Sequence, residues 1–455
     1  MLPFLVGCIL SPLLGSPGDP RPMAETFRER VAALARAAVA EEGVPGLSIA
    51  VDRDGVLLLA EGFGYADPEH GVPASADTSY AIGSLTRQFT AVGILELAER
   101  KKLSLDDDLA RWLPDFPTQG HKITLRQLLA NTSGVPGHAA LAARHAAELD
   151  RGPTREQLFA MFADLPYDFG PGTNFSTNNS GYLLLSMVLS KAAEEEYTDF
   201  VRTRILEPLE LQSTRFCPLE GRPLGFAEEC QELSAERELE IPIPASLGVS
   251  TQSLCSTVKD LVRWQRAIQD RVLLGEASTR AMLTPVDLGD GLSSDYGFAT
   301  AVGETEFSPF TAHTGGVGGF RVRLAYYEEP RLTVVVLANC ATAPVERLEK
   351  AITRAALDLL PAEVVDRRVD ASEIVRYAGN WQIATQRVRT FEREGRLWFE
   401  EPGEPALALM YQGGHVFVAA KDEKVRITFR VSADGPAESF EILRDGSTSV
   451  GKRME

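Results

Sequence analysis

The run Leu85 to Arg100 sets Phe89, Val92, Ile94, Leu95 and Leu97 around a helix so that almost no face is left polar. A helix that is apolar nearly all round has to be enclosed by other elements, so this one predicts a helix buried in the body of a sizeable domain. Ser84 stands at its amino end. The chain has 455 residues, of which 44% are apolar and 24% charged. That length exceeds what a single core usually fills, so one large domain and a smaller one are expected.

The segments around the buried helix describe a mixed α and β domain. Ala24 to Glu42 carries Phe27, Val31 and Leu34 at helical spacing. Gly46–Arg53 and Val56–Gly64 are β-rich runs joined by Asp54-Gly55, a pair suited to a tight primed hairpin turn in which both central residues need positive φ. Further helices are predicted over Thr124–Leu129, Thr154–Phe162, Gly181–Ala193, Thr257–Ile268 and Val345–Leu360, and strands over Phe320–Tyr327 and Leu332–Asn339.

After Leu360 the composition changes. A polar stretch leads into short β-rich segments separated by Glu394-Gly395, Pro402-Gly403, Gly413-Gly414, Asp434-Gly435 and Asp445-Gly446. With Trp381, Trp398, Phe417, Phe429 and Phe440 to fill an interior, this predicts a small antiparallel barrel or sandwich. The expected organisation is a leader over 1–23, a main domain over 24–360, a linker over 361–371 and an all-β domain over 372–455.

Met1 to Leu14 is nearly all apolar and is followed by Gly, Pro and Ser up to Pro22, in the manner of a short export signal. Leu5-Val6-Gly7-Cys8 resembles a lipoprotein processing box. The segment is too short to span a bilayer, so no integral membrane span is expected. These features predict an extracytoplasmic location, whether periplasmic, secreted or lipid-anchored. Of the other cysteines, Cys217, Cys230, Cys255 and Cys340, the pair Cys217 and Cys230 is a candidate bridge in an exported protein. A formal net charge of −18 without a compensating basic run argues against a nucleic-acid partner.

Ser84 and Arg87 are three residues apart, so on a helix they share a face one turn apart. A serine at a helix start ordinarily serves as a cap, and Arg87 alone reads as a surface arginine. Their surroundings alter both readings. Tyr65-Ala66-Asp67 and Asp77-Thr78-Ser79-Tyr80-Ala81-Ile82-Gly83-Ser84 are followed by Leu128-Leu129-Ala130-Asn131-Thr132-Ser133-Gly134-Val135-Pro136, then Pro171-Gly172-Thr173-Asn174-Phe175-Ser176, and finally His313-Thr314-Gly315-Gly316.

In this order the motifs resemble the serine β-lactamase and penicillin-binding-protein superfamily, over about residues 25 to 360. The resemblance implies an α+β, β-lactamase/transpeptidase-like domain: an antiparallel sheet flanked by helices plus a helical subdomain. It also implies Ser84 as the acylated nucleophile and the main-chain N–H groups of Ser84 and Gly316 as an oxyanion hole. Asn179 and His313 would hold the substrate's amide and carboxylate, with Thr314, Gly315 and Gly316 completing the binding edge. The implied ligand is a small molecule or peptide-like compound, carboxylate-bearing in one reading.

Two departures bear on the chemistry. The family patterns S-x-x-K and Y-x-N read Ser84-x-x-Arg87 and Thr177-x-Asn179 here, and Asn131 stands where histidine is usual. A lysine ammonium can lose its proton in a buried site and act as a base, whereas a guanidinium stays protonated. Thr177 is shorter and far less acidic than a tyrosine. The expected outcome is impaired or lost acyl transfer, with Arg87 in the cleft as a fixed positive charge that may instead anchor an acidic ligand. Two alternatives stay open: an active esterase, D-aminopeptidase or β-lactamase using His313 or water as base, and a non-enzymatic extracytoplasmic binding or scaffold protein. No cofactor is implied. His70, His121, His138, His145 and His415 are scattered without H-E-x-x-H spacing, so no metal site is expected.

Overall fold

A computed structural model describes residues 20–454 except 138–139, 142, 146–153, 218–226, 228–253, 289–292, 306, 360–368, 384–385, 414, 421, 432–434 and 445–446. The apolar leader with its processing box, His138, Cys230 and most of the 361–371 linker lie outside the described residues. The chain divides into two compact units, Met1–Leu359 and Leu360–Glu455.

The first unit is built on a seven-stranded antiparallel sheet. Its strands are β1 (Gly46–Arg53), β2 (Val56–Asp67), β3 (Val72–Pro73), β7 (Ala301–Glu304), β8 (Pro309–Val317), β9 (Phe320–Tyr327) and β10 (Leu332–Ala338), in the order β3-β2-β1-β10-β9-β8-β7. A second, three-stranded sheet holds β4 (Tyr80–Ala81), β5 (Arg215–Phe216) and β6 (Leu254–Ser256) in the order β4-β6-β5. The Asp54-Gly55 turn behaves as its chemistry requires, with φ of 49° and 83°.

The central strand β10 is buried along its whole length because both of its faces are covered. Val335 and Leu337 join the core under the helical body. Val334, Val336 and Ala338 pack instead with Phe27, Val31 and Ala35 of the Pro20–Glu41 helix and Leu348 and Ile352 of the Val345–Ala356 helix. Strand alternation thus separates two cores with one strand.

The apolar run that opened the sequence analysis is a 3₁₀ turn, Gly83–Leu85, leading into the Thr86–Glu99 helix. Phe89, Ile94 and Leu95 are fully enclosed, and the Phe89 ring stacks on Trp264 at 3.9 Å between centroids. Thr124 and Thr154 each begin a short helix with a reciprocal capping box to a glutamine three residues on, which fixes two of the predicted boundaries.

Cys217 bonds to Cys255, with Cα atoms 5.0 Å apart, rather than to Cys230. The reason is strand pairing: β5 lies beside β6 with Arg215 opposite Cys255, so the residue just past β5 falls next to Cys255. Sequence proximity suggested Cys230, but the two cysteines are brought together by a pairing between distant segments.

The second unit is a closed barrel of eight antiparallel strands running from Gly379–Ile383 to Ser447–Arg453. Trp381, Phe417, Phe429 and Phe440 fill its interior. Trp398 does not. Its neighbours Leu397 and Phe399 point inward, so strand alternation turns Trp398 out, where its indole N–H donates to the Arg393 carbonyl and the guanidinium of Arg393 covers the ring.

Candidate active site

Ser84 is half-buried at the start of the central helix, facing strand β8. It does not cap that helix. Its hydroxyl donates to the main-chain carbonyl of Thr314 at 3.2 Å, which ties the helix start to the strand. Two glycines permit this close approach. Gly83 has φ of 50°, and a Cβ there would stand 2.5 Å from the Gly316 carbonyl oxygen; a Cβ on Gly315 would stand 2.2 Å from the Ile82 oxygen. The glycine pair of the third motif therefore serves close packing of strand on helix start.

Arg87 lies one turn further along, half-buried. Its guanidinium donates to the side-chain oxygen of Asn179 and stands 5.5 Å from the centre of the Tyr182 ring. Among the described residues no carboxylate pairs with it. Asn179 is delivered by local chemistry: Asn178 caps the Asn179–Ala193 helix, its side-chain oxygen accepting from the N–H groups of Ser180 and Gly181, while its amide donates to the Val135 carbonyl.

Asn131 supports the same segment. Its side-chain oxygen accepts from the Asn178 N–H at 3.3 Å and its carbonyl accepts from the Ser176 N–H. It does so with φ of 56°, a conformation asparagine tolerates better than most residues. Thr177, by contrast, is exposed and makes no side-chain hydrogen bond to a described residue. The structure therefore brings Ser84, Arg87, Asn179, His313, Thr314, Gly315 and Gly316 together and leaves the hydroxyl of Thr177 facing out.

His313 is buried on β8, with Nδ1 2.8 Å from the Ala299 carbonyl. A carbonyl only accepts, so Nδ1 carries the hydrogen and Nε2 is the basic nitrogen. Burial lowers this imidazole from 6.5 to about 3, with the positive charge of Arg87 pushing the same way and the carbonyls of Ala299 and Ser84 opposing. His313 is thus neutral at physiological pH and a weak base. The group near it on the nucleophile is the main-chain carbonyl of Ser84, while the Ser84 hydroxyl is directed to Thr314.

Thr314 turns its side chain to the other face of the sheet, where Arg323 donates to its hydroxyl at 3.0 Å. Arg323 in turn meets the enclosed carboxylate of Glu349, which also accepts from Tyr327 and Thr353. Sequence reasoning missed this network, as it missed Tyr296. That tyrosine is buried against the Phe175 ring at 5.1 Å, near Arg87 and Asn131. A single aromatic ahead of Gly297 offers no spacing to read; only the folded loop places it. Among the described residues no three His, Cys, Asp or Glu side chains converge as a metal site would require, and no helix is long and apolar enough to cross a membrane.

Known proteins share this arrangement. The chain is 28% identical to penicillin-binding protein 4* of Bacillus subtilis over 437 residues, covering 88% of this chain and 95% of that protein. It is 27% identical to the D-aminopeptidase of Gluconobacter oxydans, covering 70% of this chain and 61% of that protein. The octameric penicillin-binding protein homologue from Pyrococcus abyssi superposes with a TM-score of 0.65 at 22% identity, over 93% of this chain and all of that one, which shows a common fold. The β-lactamase family model matches residues 31–359, and with the sheet, the central helix and the Ser84 cleft in place the chain belongs to the β-lactamase family of serine hydrolase-like proteins.

Proposed function

We propose that this protein receives a small carbonyl compound or peptide-like ligand in the Ser84 cleft and transfers acyl groups from it slowly or not at all near neutral pH. The observation that carries this reading is the surroundings of the nucleophile: the Ser84 hydroxyl rests on a main-chain carbonyl, which is a poor proton acceptor. Arg87 occupies the place of the activating residue and has only hydrogens to offer. His313 is present but electrostatically weakened as a base. A missing general base typically costs about 10²- to 10⁴-fold in rate.

The same residues support ligand binding. Arg87 has no carboxylate partner among the described residues, and a partly buried guanidinium is stabilised by one, so a ligand bearing a carboxylate fits the cleft. The relatives' names suggest the class of compound to try first: penicillins and amides of D-amino acids. The Cys217–Cys255 bridge agrees with the expected extracytoplasmic location, because disulfides persist in oxidising compartments.

The test is hydrolysis of p-nitrophenyl acetate and of a D-amino acid amide at pH 7, beside Ser84→Ala. Turnover no greater than that of Ser84→Ala, with saturable binding of a fluorescent penicillin that Arg87→Gln weakens, supports the reading. Rapid turnover that Ser84→Ala abolishes refutes it.

A further inference from the structure

The cleft contains one ionisable hydroxyl that the reading above does not use. Tyr296 is buried, its hydroxyl is closed off from bulk water, and it has no hydrogen-bond partner within bonding distance among the described residues. The side-chain amide nitrogen of Asn131 is likewise buried and unpaired. A buried polar atom without a partner costs on the order of 1–3 kcal/mol, so two of them facing one cleft call for a purpose.

The groups around the phenol oxygen are donors. The Arg87 guanidinium, from the central helix, and the Asn131 amide are both directed at it. Tyr182, from the Asn179–Ala193 helix, is the other titratable group that faces it, and its own hydroxyl is committed to the Leu129 carbonyl. Phe175 covers the ring. An oxygen met by a fixed cation and an amide N–H is an environment that suits a negative charge on that oxygen. Arg87 also connects it to the nucleophile, standing one helical turn from Ser84 and against Tyr296.

We propose that Tyr296 is the proton acceptor of this site, acting as a phenolate whose charge is balanced by Arg87. As the Ser84 oxygen bonds to the carbonyl carbon of an ester, the Ser84 hydrogen passes to the Tyr296 oxygen. As the ester's leaving oxygen departs, Tyr296 returns that hydrogen to it and is again a phenolate. In the second half a water oxygen bonds to the acyl carbon, its hydrogen goes to Tyr296, and Tyr296 passes it to the Ser84 oxygen as the acyl bond breaks. Arg87, unable to accept a proton, then has a function as the counter-charge. Burial raises the phenol above its ordinary value while Arg87 opposes the rise, which places the active form on the alkaline side.

This assignment rests on Ser84 being the nucleophile, and the experiment separates the two. The rate of p-nitrophenol release from p-nitrophenyl acetate is followed from pH 7 to 10.5 in the full chain, with Ser84→Ala subtracted, for the wild type, for Tyr296→Phe and for protein carrying a fluorinated, more acidic tyrosine at position 296. The expected result is a Ser84-dependent rate that climbs about tenfold per pH unit, as one ionisation below its midpoint requires, is flat in Tyr296→Phe, and begins its climb at lower pH with the fluorinated ring. A purely structural role for the ring would leave the position of the climb unchanged in the fluorinated protein. A rise that survives in Tyr296→Phe, a rise unmoved by fluorination, or no Ser84-dependent rise in the wild type overturns the role of Tyr296 alone. A rise fully retained in Ser84→Ala overturns the nucleophile assignment itself.

Discussion

Acidification should destabilise the first unit through a single imidazole. His313 is enclosed and held at about 3 against an ordinary 6.5. Between those values the unfolded chain binds a proton at this residue and the folded chain does not, so stability falls as pH falls from 6.5 toward 3 and the contribution is whole above 6.5. At about 1.4 kcal/mol per pH unit, going from pH 7 to pH 4.5 removes on the order of 2–3 kcal/mol through His313. Carboxylates titrate over the same interval, so the comparison must be internal. His313→Gln retains a donor for the Ala299 carbonyl and removes the titration. Urea unfolding at pH 7 and 4.5, followed by fluorescence of the enclosed Trp264, gives the difference for both proteins. The wild type should lose about 2–3 kcal/mol more than the variant over that interval. Equal losses would show that His313 takes up a proton in the folded protein, and the argument for a neutral, weakened base would be wrong.

Other consequences can be measured alongside. Gly315→Ala places a methyl group where the Ile82 carbonyl stands, so strand β8 and the helix start must part; a loss of about 1–3 kcal/mol in urea unfolding, together with loss of ligand binding, is expected. Opening the Cys217–Cys255 bridge by Cys255→Ser releases a separation of 38 residues and should cost about 4 kcal/mol on loop-entropy grounds, read as a lower urea midpoint. Arg87→Lys combined with Thr177→Tyr should raise acylation by p-nitrophenyl acetate at pH 7 by about 10²-fold or more over wild type, since it restores a group able to exchange protons. Stopped-flow release of p-nitrophenol is the check.

Much of this architecture was legible because local chemistry and global packing agree. The all-round apolar helix, the Asp54-Gly55 turn and the threonine-capped helices are each determined by residues within a few positions, and each appears where those residues place it. What escaped reading depends on contacts between distant segments. The partner of Cys217 is set by β5 lying on β6, and the outward turn of Trp398 by the phase of its strand. The site divides in the same way. Ser84, Arg87, Asn179 and His313 lie in recognisable spacings, whereas Tyr296 and the Arg323–Glu349 pair reach the cleft and its supporting face by folding alone. The Thr314 side chain faces Arg323 for a reason periodicity supplies once the register of β8 on β9 is known.

The proton arithmetic at Ser84 is most directly tested by intact-protein mass spectrometry after incubation with a penicillin at pH 7. A Ser84 hydroxyl facing a carbonyl, a guanidinium and a weakened imidazole should carry no acyl adduct beyond that seen on Ser84→Ala. A stoichiometric adduct localised to Ser84 within minutes would contradict the account, because it would show that an effective base is already at work there.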